Sequence, residues 1–192
     1  MNRYEAIVIG TSAGGLSALS TILQKLPGKY DRPIVVVQHR AKDSEDVLKD
    51  VLQQKCALKI KQTDEKEKIV AGCVYIAPPD YHLLIETDKT FSLSSEPPVQ
   101  FSRPSIDVLF ESASQVYNKK LVGIILTGSN NDGAEGIRTI RRLGGLTVAQ
   151  DPGEAQYSVM TKAAIATGSV DFVLPLADIT AFLLGRYKLQ ST

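Results

Sequence analysis

Three polar side chains stand just after apolar, strand-like stretches of the sequence. Ser12 comes after AIVIG, His39 follows VVVQ, and Asp132 lies a few residues beyond LVGIILT. A serine hydroxyl becomes a nucleophile when an imidazole takes its proton, and a carboxylate on the second ring nitrogen fixes the imidazole tautomer. If these strands are parallel, the three side chains meet at one edge of a sheet. The residues therefore predict a hydrolytic Ser–His–Asp triad.

The turn around Ser12 fits a nucleophile better than a nucleotide. The stretch GTSAG (10–14) satisfies G-x-S-x-G between a strand and a helix pattern. Small neighbours leave the serine exposed, and N–H groups at the start of the helix can bind an oxyanion. A dinucleotide loop needs glycine where Ser12 stands, and a Walker A loop needs a Gly-Lys-Ser/Thr that is missing.

Each of these residues also has a structural alternative. Ser12 and Asp132 are common types of helix N-cap, each for the helix that follows it, and His39 alone is also typical of a loop. His82, the only other histidine, opens the stretch HLLIE and is predicted to be structural or part of a rim. A calcium loop at SNNDG is excluded, because Gly128 and Thr139 stand where carboxylates are required.

Composition predicts one globular domain over residues 1–192. Hydrophobic residues make up 43% and charged residues 22%, and the formal net charge is +1. Nothing in this balance points to nucleic acid or to an anionic membrane, and no apolar run is long enough to cross a bilayer. Cys56 and Cys73 lie in apolar stretches and are expected to be reduced core thiols, which favours the cytoplasm.

Strand patterns alternate with helix patterns along the chain, which predicts an α/β fold with a doubly wound, mostly parallel sheet. The middle differs, because CVYIAP, HLLIE and FSLSS are short and close together and predict antiparallel strands or an inserted hairpin. One helix is expected to be capped by Asp43 or Ser44. The predicted strands outside the middle are 4–9, 33–38, 57–61, 121–127, 146–150 and 171–175, and the predicted helices lie near 16–26, 47–52, 106–116, 137–143, 158–167 and 176–187.

Five stretches in this order, IGTSAGG, VVVQH, YIAPPDYH, RPSIDVLF and IILTGSNNDGAEG, resemble the catalytic domain of CheB-type protein-glutamate methylesterases of bacterial chemotaxis. The resemblance implies hydrolysis of γ-glutamyl methyl esters on the cytoplasmic helices of chemoreceptors, often with deamidation of receptor glutamines, and no metal or organic cofactor is needed. It makes Ser12 the nucleophile, His39 the base and Asp132 the orienting carboxylate. The implied oxyanion donors are the backbone N–H groups of Ala13 and Ser129.

Two further residues in the matching stretches, Arg103 and Asn130, are candidate substrate-binding residues. The chain departs from the family at Ala13, where threonine is common, and at 127–130, which read Thr-Gly-Ser-Asn instead of Thr-Gly-Met-Gly. The family also usually carries a receiver domain before the catalytic strand. Here that strand starts near residue 4, so we expect a stand-alone esterase or an excised piece, with any regulatory protein acting in trans.

Two other functions stay open from the sequence. One is a weak or inactive signalling or binding module on the same scaffold, and the other is a nucleotide-binding α/β domain.

Overall fold

A seven-stranded parallel sheet forms the centre of the molecule, which confirms the predicted doubly wound fold. The computed structural model describes residues 4–40 and 47–187. The strands of this sheet are β1 (Ala6–Thr11), β2 (Ile34–Gln38), β3 (Lys59–Gln62), β4 (Cys73–Ile76), β7 (Leu121–Ile125), β8 (Leu146–Gln150) and β9 (Phe172–Leu174). The strand order across the sheet is β3-β4-β2-β1-β7-β8-β9, and every neighbouring pair is parallel.

Helices cover both faces of the sheet, as buried parallel strands require. Apolar residues of α1, α2 and α6 pack into one core, and those of α3, α4 and α5 pack into the other. The helices are α1 (Gly15–Leu23), α2 (Val47–Lys55), α3 (Ile106–Tyr117), α4 (Ala134–Arg142), α5 (Val159–Ala166) and α6 (Leu176–Leu183). Within the part of the chain that the structure describes, no helix is long and apolar enough to span a bilayer.

Strand β1 shows how the sequence makes a central strand. All six of its residues are buried, with Ile7 and Ile9 in one core and Ala6 and Val8 in the other. Successive side chains of a strand point to opposite faces, so a strand covered on both faces reads as a continuous apolar run. In helix α1 the apolar residues are buried, as an amphipathic pattern predicts, except for Leu16, which is 38% exposed.

The inserted hairpin is present, but it is shorter than the sequence predicts. Strands β5 (His82–Ile85) and β6 (Phe91–Ser94) pair antiparallel and form a separate two-stranded sheet. The prediction that CVYIAP joins this antiparallel unit is wrong, because β4 pairs in parallel with β2 and β3 in the main sheet. All four of its residues are buried, as the flanking helix layers require.

The chain reverses its winding direction between β1 and β7. From β1 it moves outward to β2 on one side, and from β7 it moves outward through β8 to β9 on the other. The carboxyl ends of these strands are level, since Thr11 pairs with Gln38 and Gly10 pairs with Ile125. In open α/β sheets a crevice forms outside the carboxyl ends of the strands where the winding reverses, and ligands bind there.

Two further predictions concern single residues. Cys56 and Cys73 are both buried and form no disulfide, and burial raises the pKa of each thiol. The predicted capping residues Asp43 and Ser44 lie outside the described residues.

Candidate active site

Ser12 lies in the turn between β1 and α1, at the carboxyl edge of the sheet. Its backbone N–H donates to the carbonyl of Thr127 at 3.0 Å, which ties this turn to the loop after β7. Gly14 has a φ of +80° and precedes the helix, a conformation that favours glycine. A Cβ atom on Gly15 would lie 2.0 Å from the side-chain oxygen of Gln38. The glycines therefore let the backbone turn tightly beneath the serine.

The N-cap predicted for Ser12 is not found. Gly14 occupies the N-cap position of α1, and no side chain caps that helix. The Ser12 hydroxyl is thus left without a role in starting the helix.

His39 and Asp132 form a direct pair at the same edge. Nε2 of His39 donates to Oδ2 of Asp132 at 2.8 Å, and the Asp132 carboxylate is fully buried. The backbone N–H of His39 donates to the carbonyl of Thr11, so His39 lies directly after the point where β1 and β2 both end. The structure therefore brings all three predicted residues to one crevice.

Asp132 does not cap the helix that follows it, contrary to the alternative from sequence. Gly133 is the N-cap residue of α4, so no side chain caps that helix. The carboxylate instead accepts hydrogen bonds from the N–H groups of Ile106 and Asp107, at 2.7 and 3.1 Å, and from the Ser105 hydroxyl at 2.9 Å. It therefore sits on the N-terminus of α3, where a negative charge is stabilised.

These contacts keep Asp132 ionised. Burial alone would raise its pKa, but hydrogen bonds from His39 and from the N–H groups of Ile106 and Asp107 outweigh burial and lower the pKa. A buried, ionised carboxylate is the form that can hold one imidazole tautomer and stabilise its protonated state.

A second carboxyl group lies beside this one. Asp107 is 4% exposed and accepts hydrogen bonds from the Gly136 N–H at 2.7 Å and from Gln100 Nε2 at 3.1 Å. Burial raises the pKa of Asp107 to about 7; the Gly136 hydrogen bond opposes this, and the Asp132 charge adds to it. Sequence reasoning missed this residue, since a polar residue in the first turn of a helix is ordinary.

The other ring nitrogen of His39 faces Asn130. Nδ2 of Asn130 lies 3.2 Å from Nδ1 of His39, within hydrogen-bond distance, and 3.4 Å from the Ser102 hydroxyl. Among the described residues, no hydrogen bond joins the Ser12 hydroxyl to His39. Because Nε2 is committed to Asp132, Nδ1 is the nitrogen that could accept a proton.

Two backbone N–H groups near Ser12 are also unused. Within residues 4–40 and 47–187, neither the Ala13 N–H nor the Ser129 N–H donates a hydrogen bond. The two loops are joined, since the Thr127 hydroxyl donates to the Ala13 carbonyl at 2.9 Å.

Ser12 lines two cavities. The first, of about 340 Å³, also contains His39, Asn130 and Arg103 in its wall. The second, of about 590 Å³, runs between α1 and α2 and does not reach His39. Arg103 has a second set of contacts, because it bonds to Asp80 and to the carbonyls of Ser95 and Glu96 and so holds the loop before α3.

His82 is structural, as one of its two sequence interpretations expected. It is 2% exposed, its Nδ1 accepts from the Ser105 N–H at 3.2 Å, and its Nε2 lies 3.1 Å from the Pro97 carbonyl. Ser105 in turn donates to Asp132. The support that His82 gives to the site has no signal in the sequence.

Comparisons with known proteins agree with this architecture. The family model described as CheB methylesterase matches residues 7–183. A Leptospira interrogans protein, provisionally named protein-glutamate methylesterase/protein-glutamine glutaminase, is 54% identical over 95% of this chain and 94% of its own length. An Anaeromyxobacter dehalogenans protein with that name is 41% identical over 92% of this chain, which spans about half (52%) of that relative.

The crystal structure of the Thermotoga maritima CheB methylesterase catalytic domain superimposes with a TM-score of 0.91. It is 33% identical and covers 95% of this chain and 98% of its own. Fold and comparisons together define a doubly wound α/β enzyme of the carboxylic ester hydrolase class. Within that class, the chain belongs to the CheB methylesterase family.

Proposed function

We propose that this enzyme hydrolyses γ-glutamyl methyl esters on the cytoplasmic helices of chemoreceptors through Ser12, His39 and Asp132. The observation that carries the proposal is the 2.8 Å bond between His39 and a buried, ionised Asp132 at the edge where Ser12 stands. Family membership supplies the substrate class.

Acylation begins at Nδ1 of His39. This nitrogen takes the proton of the Ser12 hydroxyl while Oγ forms a bond to the ester carbonyl carbon. Asp132 holds the proton on Nε2 and stabilises the imidazolium that forms. The tetrahedral intermediate then expels methoxide, which takes the proton from Nδ1 and leaves as methanol.

Deacylation repeats these steps with water. The water gives a proton to Nδ1 as its oxygen attacks the acyl carbon, and Ser12 leaves with that proton, so glutamate is released. With a glutamine side chain as substrate, ammonia leaves in place of methanol. In both halves the oxyanion accepts from the N–H groups of Ala13 and Ser129, which are unused within the described residues.

Asn130 must move before Ser12 can reach the base. Its amide holds Nδ1 of His39 at 3.2 Å, so a bound substrate has to draw that amide away. Asn130 and Arg103 both line the cavity with Ser12, and we assign both to substrate binding. An amide that bonds a substrate carbonyl would release His39 in the same motion.

The remaining parts of the proposal follow from this role. The enzyme acts in the cytoplasm as one domain over residues 1–192, and any regulatory partner docks in trans on the loops around Ser12.

The test uses methylated receptor membranes and a fluorophosphonate probe. We expect the protein to release methanol and the probe to label Ser12, and Ser12→Ala to lose both while melting at the same temperature. Ser169→Ala is the matched control, since Ser169 precedes β9 at the opposite edge of the sheet. A protein that binds receptor membranes without releasing methanol or taking the label would instead be a binding module.

A further inference from the structure

We propose that Phe101 is a substrate-recognition residue, whose ring packs against an apolar side chain beside the esterified glutamate of the substrate protein. This inference rests on the proposed function and names the group that selects a protein ester over a small one.

Phe101 combines full exposure with a place in the active-site wall. Its relative exposure is 103%, while the next most exposed large apolar side chain in the described residues, Val70, reaches 56%. Phe101 nevertheless lines the cavity that contains Ser12 and His39. Aromatic residues, phenylalanine among them, are enriched in protein interfaces relative to the rest of the surface, so a fully exposed ring in this wall is suited to contact a protein substrate.

The backbone that carries the ring is unfavourable for phenylalanine. Val99 and Ser102 exchange both backbone hydrogen bonds, at 3.1 and 2.9 Å, and so close a two-residue turn. Its central residues, Gln100 and Phe101, have φ angles of +46° and +64°. Turns with two positive φ angles favour Asn-Gly, and a bulky residue there is an outlier. Phenylalanine thus occupies a position where local conformation gives no reason for it.

The turn is held firmly to the catalytic residues. Gln100 donates to Asp107 at 3.1 Å, and the N–H of Asp107 donates to Asp132. Arg103, just after the turn, bonds to Asp80 and to two backbone carbonyls. A ring presented on a fixed turn loses little conformational freedom on binding, which favours affinity.

The chemistry of the cavity indicates what the ring contacts. The cavity wall is mainly polar, and its polar lining residues are Ser12, His39, Arg40, Ser102, Arg103 and Asn130. Phe101 supplies an aromatic surface at the rim of this wall. Its partner is therefore an apolar side chain on the surface of the substrate protein, next to the modified glutamate.

The experiment compares a protein ester with a small ester. Methanol release from methylated receptor membranes and hydrolysis of 4-nitrophenyl acetate are measured for the full chain, for Phe101→Ala and for Phe101→Gly. Removing the ring should lower kcat/KM on receptor membranes by about tenfold or more, mainly through KM, because burying such a ring is worth that much. Hydrolysis of 4-nitrophenyl acetate should stay within about twofold.

Three controls separate recognition from folding. Phe101→Gly places the residue that a positive φ favours at the position with a φ of +64°, so it should melt no lower than the parent and still lose receptor hydrolysis. Phe101→Trp should retain receptor hydrolysis. Val70→Ala should leave both activities unchanged, because Val70 precedes β4, at the amino-terminal end of the parallel strands and away from the carboxyl ends that carry the site. Equal activity of Phe101→Ala on receptor membranes, or an equal loss on both esters, would overturn the inference alone. Absence of methanol release by the parent chain would overturn the proposed function as well.

Discussion

Asp132 links the chemistry of the site to its architecture. The same carboxylate that pairs with His39 accepts three hydrogen bonds from the start of α3. A side chain held by so many donors has little freedom to rotate, and it therefore also restricts the orientation of the imidazole to which it is bonded. An Asp132 replacement should therefore disturb the proposed base, His39, and helix α3 together, which makes it a poor variant for separating the two effects.

Asn130 offers a cleaner test of the proposed role of His39 as base. Asn130→Ala removes the amide that a substrate has to draw away from Nδ1 of His39, so we expect kcat/KM for 4-nitrophenyl acetate to rise about two- to tenfold, the equivalent of one neutral hydrogen bond. Asn131→Ala, with an exposed side chain in the same loop, is the matched control. A lower kcat/KM in Asn130→Ala at an unchanged melting temperature would show that the amide assists His39 instead of competing for its proton-accepting nitrogen.

Asp107 makes a prediction about stability and pH. Because its pKa is raised to about 7 in the folded protein, the folded state keeps a proton that the unfolded state has lost. Its contribution to stability is present below the unfolded pKa, near 4, and is lost as pH rises towards 7. Asp107→Asn, which resembles the protonated form, should lose less stability than the parent as pH rises from 5 to 8. The unfolding free energy of the variant minus that of the parent should therefore increase by at least about 1 kcal/mol over this range. Urea unfolding at both values measures this difference, and a difference that does not change with pH would contradict the assignment.

At the scale of elements, α3 and α4 begin by capping one another. Asp132, from the loop before α4, bonds the first N–H groups of α3, and Asp107, in the first turn of α3, bonds the Gly136 N–H of α4. Each helix start therefore depends on a carboxylate from the other. This arrangement fixes the loop after β7 against α3, and with it the position of Asp132.

His82 supports the same junction from the hairpin. His82→Ala removes the acceptor for the Ser105 N–H and the partner of the Pro97 carbonyl in a buried place, so unfolding free energy should fall by roughly 1–3 kcal/mol. The pH dependence of kcat/KM should keep its shape, since His82 does not touch the reacting atoms. Denaturation and a pH profile, with His39→Ala as the inactive reference, test this. A profile flattened by His82→Ala would mean that His82 is the base.

Most of the fold could be predicted from the sequence because its strands are buried on both faces. Continuous apolar runs such as LVGIILT identify central parallel strands, and the residues that end them identify the edge where chemistry gathers. The place of β4 could not be predicted, because a four-residue apolar strand reads alike in a hairpin and in a parallel sheet. Its pairing with β2 and β3 is a long-range outcome.

For the candidate site, the position of each residue at a strand end could be predicted from the sequence, but its contacts could not. Ser12, His39 and Asp132 follow strand ends, so topology alone gathers them. Other features depend on how the loops cross above the sheet. These are the contact of Asp132 with the start of α3, the place of Asn130 beside Nδ1 of His39 and the exposure of Phe101. Local sequence carries no signal for those crossings.

At the scale of the whole molecule, the site lies at the seam between two halves of the sheet. Ser12 and His39 come from the half that winds outward from β1, and Asp132 comes from the half that winds outward from β7. Refolding from urea should therefore restore fluorophosphonate labelling of Ser12 only with the last tertiary signal, after helix formation. Labelling that returns with the first helical signal would show that the nucleophile is activated without the second half.

The pairing of β1 with β7 also bears on how the chain is made. Ala6 lies beside Leu121, so one edge of β1 has no partner on the ribosome until most of the chain has been synthesised. Contacts between such distant segments form slowly, and an unpaired apolar strand is prone to aggregate meanwhile. The residues of the site would therefore come together late in synthesis, when the second half of the sheet pairs with the first.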